Sequence, residues 1–320
     1  MYDCLMGINI TTFGEILIDL TQDAVDGNGV VHFAANPGGA PANVAVVASR
    51  LGAVSGFVGC IGKDNFGDIL RKTLVDNNVD ISGLQVTSDA TTTLAVVMVD
   101  GKGERSFSFC RNPGADTIID GNRAMEAVRG SGIVHFGSVS LAAENCRSTI
   151  IDVVRHARES GSLISYDPNY RPTLWKSEAD AVKWMRAVLP LCDLVKISEE
   201  ETLLITGKQG CEEAAQTLIE SGVRLVLVTL GGNGAYWRYG NLSGYVPGFK
   251  VKVADTNGAG DTFFGAFLSR IAARGGIDGL TADEINCYVK FANKAASITT
   301  SRPGAIPAMP TLDEVNREMK

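Results

Sequence analysis

Five short runs of almost unbroken apolar, β-branched residues constrain this chain more than anything else in it. They are "GFVGCIG" (56–62), "GIVHFGSV" (132–139), "SLISYDPN" (162–169), "DLVKIS" (193–198) and "RLVLVTLGG" (224–232). A strand with one wet face alternates in polarity, whereas a strand that is apolar at nearly every position is covered on both faces. Helical patterns fall between these runs, at 40–51, 65–77, 145–160, 177–189, 199–206 and 211–221. From 261 onward the chain turns mainly helical, with 261–274 and 282–299 the clearest elements. This alternation predicts βαβ units, and so an α/β fold with a mostly parallel central sheet between two helical layers.

One region breaks the rhythm. "TTTLAVVMVDGKGERSFSFCRNPGAD" (91–116) holds two strand-like runs around a Gly-Lys-Gly turn, the pattern of an antiparallel hairpin. An extended segment near 29–35, "GVVHFAA", is a candidate partner for it. These pieces are too small for a domain of their own and are expected to form a β lid over the edge of the sheet. No linker, repeat or low-complexity tract is seen, so 1–320 is read as a single domain with an inserted flap.

Composition removes several classes of function. With 45% hydrophobic and 20% charged residues the chain reads as globular, and a net charge of −7 argues against non-specific binding to nucleic acid or anionic membrane. No apolar run approaches the ~18 residues of a membrane helix. The N-terminal "MYDCLMGINITTFGEILIDL" lacks the basic start of a signal peptide and reads as the first strand. Seven dispersed cysteines without a C-x-x-C pair suit small buried thiols in a reducing compartment, and the expected location is the cytoplasm.

The stretch "VADTNGAGDTFFGAFL" (253–268) carries the sharpest chemical signal. Successive backbone N–H groups of "NGAG" (257–260) are suited to form an anion-binding nest at the start of a helix, whose dipole adds to the attraction. Asp261 reads most simply as a helix cap. Two glycines and a second acidic residue, Asp255, exceed what a cap requires. A carboxylate beside a phosphate cradle can take the proton of an attacking hydroxyl, and the helix N-terminus is expected to keep it ionised.

"DTNGAGD" (255–261) also resembles the C-terminal signature of the PfkB, or ribokinase-like, carbohydrate kinases. "NPGGAPANVAVVASRLG" (36–52) is similar to that family's N-terminal signature. The likeness continues in order through "VGCIGKDNFG", "RNPGAD", "DPNYRPTLW", "KISEEE" and "VTLGGNGAY". It implies a ribokinase-like three-layer αβα sandwich with a small lid, and transfer of the γ-phosphoryl of MgATP to a sugar's primary hydroxyl. Asp261 then corresponds to the base, and the backbone of Gly258, Ala259 and Gly260 to the anion hole. On the sugar side the resemblance implies Asp19, Gly38, Gly39 and Asn43, with Arg111 reaching down from the lid and Asn169 and Arg171 following a strand end. On the nucleotide side it implies Lys196, Thr229, Gly231, Gly232 and Gly234, with Asn293 and the turn containing Gly304 near the adenine. The family's Asn-x-x-Glu motif falls on Ser198 and Glu201, so the Asn is missing. Glu201 remains a candidate to order Mg²⁺ through water, beside the simpler reading of "EEE" as favourable charge in a first helical turn. Asp255 and Asn257 are candidates for a monovalent-cation site, K⁺ by family habit.

Within the family, "GEILIDL", "RNPGAD" and "DPNYRPTLW" look most like the fructokinases, which implies fructose phosphorylated at O6. Kinases of 2-keto-3-deoxygluconate share the last two patterns but bind an acid, which Asp19 would repel. Ribokinase and aminoimidazole riboside kinase-like activities are the further alternatives, with Phe33 or Phe109 of the lid offering a face to a base. A non-catalytic sugar-binding pseudo-kinase would predict an eroded base or anion hole, and both are intact. "GFVGCIGKD" fails as a P-loop because its spacing is one residue too long and Lys63 precedes Asp. "GGNGAYW" fails as a dinucleotide fingerprint because its third glycine is missing. Exposed strand edges in the lid suggest a homodimer through it.

Overall fold

A computed structural model describes residues 9–99 and 105–319. Its strands are β1 (Ile10–Phe13), β2 (Leu17–Val25), β3 (Val31–Gly38), β4 (Ser55–Gly62), β5 (Leu84–Thr87), β6 (Leu94–Val99), β7 (Arg105–Cys110), β8 (Ile133–Gly137), β9 (Leu163–Asp167), β10 (Leu194–Ser198), β11 (Leu225–Thr229), β12 (Gly234–Tyr239) and β13 (Leu242–Pro247). Nine of them form the main sheet, in the order β13-β12-β11-β10-β9-β8-β1-β4-β5. From β5 to β11 neighbouring strands pair in parallel, and β12 and β13 extend the edge antiparallel.

The five apolar runs are β4, β8, β9, β10 and β11, and their uniform apolarity has the expected cause. On β11, Leu225 and Leu227 enter one buried core, while Val226 and Val228 enter another on the opposite face. The first core packs under the helices Ala40–Arg50, Ala259–Arg274 and Ala282–Thr300, and the second under Glu144–Glu159, Glu178–Ala187 and Cys211–Glu220. Two cores on the faces of one sheet make a three-layer αβα sandwich. Among the described residues no helix is long and apolar enough to cross a membrane.

The remaining strands form a second sheet, β3-β2-β6-β7. The hairpin read at 91–116 is β6 and β7, whose turn lies outside the described residues. The segment near 29–35 does not pair with that hairpin directly. It joins β3, which pairs antiparallel with β2, and β2 then pairs in parallel with β6. "GEILIDL" is likewise not one strand: the chain leaves β1 at Phe13, bends through Gly14–Ile16 and enters the lid as β2. Asp19 therefore sits near the start of a central lid strand, between Asn36 of β3 and Ala95 of β6.

Strand order reverses around β1, because β4 and β5 lie on one side of it and β8 to β11 on the other. Open α/β sheets bind ligands beyond the carboxyl ends of their strands at such a switch point.

Candidate active site

The helices Ala40–Arg50 and Ala259–Arg274 meet at their first turns. There the amide of Asn43 donates to Oδ2 of Asp261 at 2.7 Å, with both side chains buried. Gly258 caps the second helix with φ 73°, and a Cβ there would stand 3.0 Å from the Cβ of Ala305. The N–H of Ala259 closes a turn on the Thr256 carbonyl at 3.3 Å. Those of Gly258 and Gly260 make no intramolecular hydrogen bond among the described residues. Two free N–H groups at a helix start are what an anion requires. Burial raises the Asp261 carboxyl above its ordinary range, against the Asn43 hydrogen bond and the charges of Lys196 and Arg171. The helix N-terminus was expected to hold this group firmly ionised. Its surroundings instead strengthen it as a base while two cations and an amide oppose its neutralisation.

One side of this centre is a cleft of about 660 Å³. Thr229, Gly231, Gly232, Gly234 and Asn293 all line it, and it runs to Ala259 and Gly260 at the helix start. Sequence separations of more than sixty residues thus close into one wall. Phe249, Val251 and Val253 add apolar surface, and the Lys294 ammonium lies 3.9 Å from the centre of the Phe249 ring. Gly304 does not line the cleft: its N–H donates to Asp255 at 3.1 Å, and Asp255 also accepts from the Asn257 N–H at 2.9 Å. Asp255, Asn257 and the 302–305 turn therefore form one knot beside the helix start rather than an adenine contact.

On the other side Asp19 faces the centre from the lid. Its Oδ2 accepts from Asn257 at 3.4 Å, and a Cβ on Gly38 would stand 2.5 Å from that same oxygen. Burial pushes Asp19 up to about 6, helped by the charges of Asp261 and Asp255 and opposed by Asn257 and Arg171. Gly39 caps the helix that carries Asn43. Arg171 is exposed, and its charge acts on both Asp19 and Asp261. Asn169 follows β9 in a left-handed conformation, φ 45°. Arg111 is placed differently from its expected role. Its guanidinium is nearly buried, bonded twice to Asp116 at 2.8 and 2.6 Å and once to the Val139 carbonyl at 3.0 Å. In this arrangement it fastens the lid to the body.

Lys196 is not on the wall of the cleft. Its ammonium lies beneath the helix start, 3.1 Å from where a Cβ on Gly260 would be, and pairs with Asp167 at 2.7 Å. Glu201 is buried, with one oxygen accepting from the Ser198 N–H at 2.8 Å and the other from the Tyr170 N–H at 2.7 Å. It therefore completes a capping box with Ser198 and also fixes the segment that carries Asn169 and Arg171.

Two acids escaped the sequence reading. Asp167 ends β9 inside a quoted motif, and the available signal was a carboxylate closing a buried strand at the sheet's carboxyl edge. Glu15 lies in the bend between body and lid, where it accepts from the N–H of Ala40 at 3.0 Å, and burial pushes it up to about 7. Its signal was an acid embedded in an apolar run.

The family description "pfkB family carbohydrate kinase" matches residues 8–312. Fructokinase-1 of Zea mays is 41% identical over 312 residues, covering 96% of each chain. The fructokinase of Xylella fastidiosa with bound ATP superposes with a TM-score of 0.89 at 33% identity, over 98% of this chain and 99% of that one. A double mutant of the Vibrio cholerae O395 fructokinase, with fructose, ADP and a potassium ion bound, gives a TM-score of 0.88 at 33% identity over the same shares.

Proposed function

The chain belongs to the pfkB family of carbohydrate kinases, and from that premise we propose that it transfers the γ-phosphoryl group of ATP to the 6-hydroxyl of D-fructose. The observation that carries this reading is the meeting of two half-sites at one helix start. Ala259 and Gly260 end the glycine-lined cleft, and the next residue, Asp261, is gripped by Asn43 beside the lid. Likeness to fructokinases over nearly the whole chain favours fructose over the riboside and keto-acid alternatives.

In this mechanism ATP lies along the cleft with its terminal phosphate against the free N–H groups of Gly258 and Gly260. Asp19 accepts hydrogen bonds from two sugar hydroxyls, and Gly38 and Gly39 give the sugar room to approach the backbone. Asp261 then takes the proton of the 6-hydroxyl as that oxygen attacks phosphorus. Arg171 and the helix start balance the negative charge gathered between the two substrates. Phosphoryl transfer asks mainly for positioning and charge stabilisation, and these residues supply both.

A divalent ion, Mg²⁺, would screen the phosphates. Asp167 fits such an ion, because its Oδ1 is buried with no hydrogen-bond partner, and its charge and that of Glu201 act on one another. No cluster of three or more metal-ligating side chains is present among the described residues. That suits an ion held mostly by water and phosphate oxygens. The knot around Asp255, whose carboxylate accepts from the N–H groups of Asn257 and Gly304, is the place we assign to K⁺.

The outer face of the lid exposes Val25, Val30, Val31, Phe33 and Met98. We assign a second copy of the chain to this face, since two four-stranded lids can cover each other's apolar surface and edges. The dispersed thiols fit a cytoplasmic setting.

The test is ADP release with MgATP and fructose, ribose, 2-keto-3-deoxygluconate or a nucleoside as acceptor. Fructose is expected to give the highest kcat/KM. Preferential turnover of the keto acid would refute the choice of sugar, and no acceptor-dependent ADP release would refute the kinase reading.

A further inference from the structure

The bend Gly14–Ile16 carries the chain from the body into the lid, and Glu15 at its centre is 2% exposed. A buried carboxyl is costly unless hydrogen bonds satisfy it. Here Oε1 accepts from the N–H of Ala40 at 3.0 Å, while Oε2 is buried with no partner. Arg111 is close enough for its charge to be felt, but its guanidinium is bonded to Asp116 and to the Val139 carbonyl. Among the described residues Glu15 forms no ion pair, so the Ala40 bond is what anchors its side chain.

That bond falls at a sensitive place. Ala40 opens the helix Ala40–Arg50, whose cap, Gly39, has no side chain to offer and whose second residue, Pro41, has no N–H. Glu15, twenty-five residues upstream, caps the helix in their stead. The backbone of the bend presses on the same loop. A Cβ on Gly39 would stand 2.7 Å from the Glu15 carbonyl oxygen and 2.9 Å from Cα of Ile16, and Gly39 has φ 105°. Three residues beyond Ala40, the N–H of Asn43 donates to the Gly39 carbonyl at 2.8 Å and its amide to Asp261 at 2.7 Å. In the other direction β2 starts at Leu17 and carries Asp19 as its third residue.

Glu15 thus stands between the element that recognises the sugar and the helix that holds the base. From the proposed kinase reading, on which this inference rests, we propose that Glu15 is a positioning residue. Through Ala40 it fixes the helix start that aims Asn43 at Asp261, and so keeps the base in register with the sugar held by Asp19. It touches neither substrate. Its contribution is registration between lid and body, and an error of about 1 Å in such a register can cost on the order of a hundredfold in rate.

The experiment compares wild type with Glu15→Ala, Glu15→Asp and Glu15→Gln in full-length protein, each also in an Asn43→Ala background. It measures kcat, KM for fructose and ATP affinity by titration, with thermal midpoints as a folding check. Ala removes the acceptor, and Asp keeps the charge but is one methylene short of Ala40, so both should lose about a hundredfold in kcat. Gln keeps an acceptor of the right length and should stay within about fivefold of wild type. KM for fructose and ATP affinity should stay within about threefold throughout, because the register is felt where the proton moves. In the Asn43→Ala background the losses should shrink to about threefold or less, since the link from Glu15 to Asp261 is already cut. Should Glu15→Ala not fold, Ala40→Pro carries the test: it removes the donor at a helix position that suits proline, and the same loss in kcat is expected. Losses in KM or ATP affinity that match those in kcat would overturn the inference. So would a Glu15→Asp as active as Glu15→Gln, or effects that multiply in full with Asn43→Ala. Wild type without fructose-dependent ADP release would instead overturn the kinase reading.

Discussion

The body and the lid are both built on β-sheets, yet they treat their side chains in opposite ways. The central strands of the body are buried on both faces, and the charged groups they carry toward the site are few and paired: Asp167 at the end of β9 and Lys196 in the middle of β10. Strands of the lid are partly wet, and β2 can carry Asp19 as its third residue without full burial. The two carboxylates that face each other across the site reflect this. Asp261 is held by an amide on a neighbouring helix and flanked by Lys196 and Arg171. Asp19 rests against Asn257 and feels the like charges of Asp261 and Asp255. The rigid, dry element bears the group that must move a proton, and the half-exposed element bears the group that must recognise a sugar.

If this division is right, substitutions at the two carboxylates should separate kcat from KM. Asp261→Asn keeps the size of the side chain but removes the base, and kcat should fall about a thousandfold, within the usual range for general-base loss. Fructose and ATP should still bind with near wild-type affinity, as isothermal titration would report. A kcat within tenfold of wild type would show that Asp261 is a helix cap after all.

Asp19→Asn should do the reverse. Two hydrogen bonds from sugar hydroxyls to a carboxylate are at stake, so KM for fructose should rise on the order of 10- to 100-fold, with a smaller change in kcat. The pH dependence sharpens the test. Burial raises Asp19 to about 6, so it is protonated below that value and loses acceptor capacity. KM for fructose should therefore fall as pH rises from about 5 to about 7, while KM for ATP stays flat. In Asp19→Asn the fructose dependence should vanish. If it persists there, the titrating group is another one, and Glu15, raised to about 7 in the bend beneath the lid, is the next to replace.

The same contrast explains what could be read from the sequence. The main sheet was legible because double burial writes itself into composition: β4, β8, β9, β10 and β11 are apolar at almost every position. The glycines of the nucleotide cleft were legible through a family motif, and the fold then gathered Thr229, Gly234 and Asn293 onto one wall. Lid topology was not legible, because strand order there depends on pairings between distant segments that local pattern does not encode. The break between β1 and β2 and the parallel pairing of β2 with β6 are the two examples. Arg111 could be assigned a side chain but not a partner, and Asp116, five residues on, engages it. Asp167 and Glu15 were passed over because an acid in an apolar run looks like an exception until the strand it ends, or the bend it occupies, is known.

The smallest effect expected concerns the outer surface of the lid, and it probes the comparison where body and lid differ most. Phe33 is 40% exposed on β3, whereas Phe264, at the heart of the helix that carries Asp261, is fully buried. Truncating a buried phenylalanine costs about 3–5 kcal/mol. A surface change away from special features stays within about 0.5 kcal/mol. Phe33→Ser should therefore leave the chemical denaturation midpoint of dilute protein almost unchanged, and kcat with it. Its effect should appear in sedimentation velocity, where a self-associating wild type would shift toward the monomer in the variant. A wild type that sediments as a monomer at all concentrations would show that the exposed valines, Phe33 and Met98 are simply solvated. An undiminished dimer in the variant would place the contact on another face. Either way the body should be indifferent, because nothing in its two cores depends on whether the far side of the lid is covered.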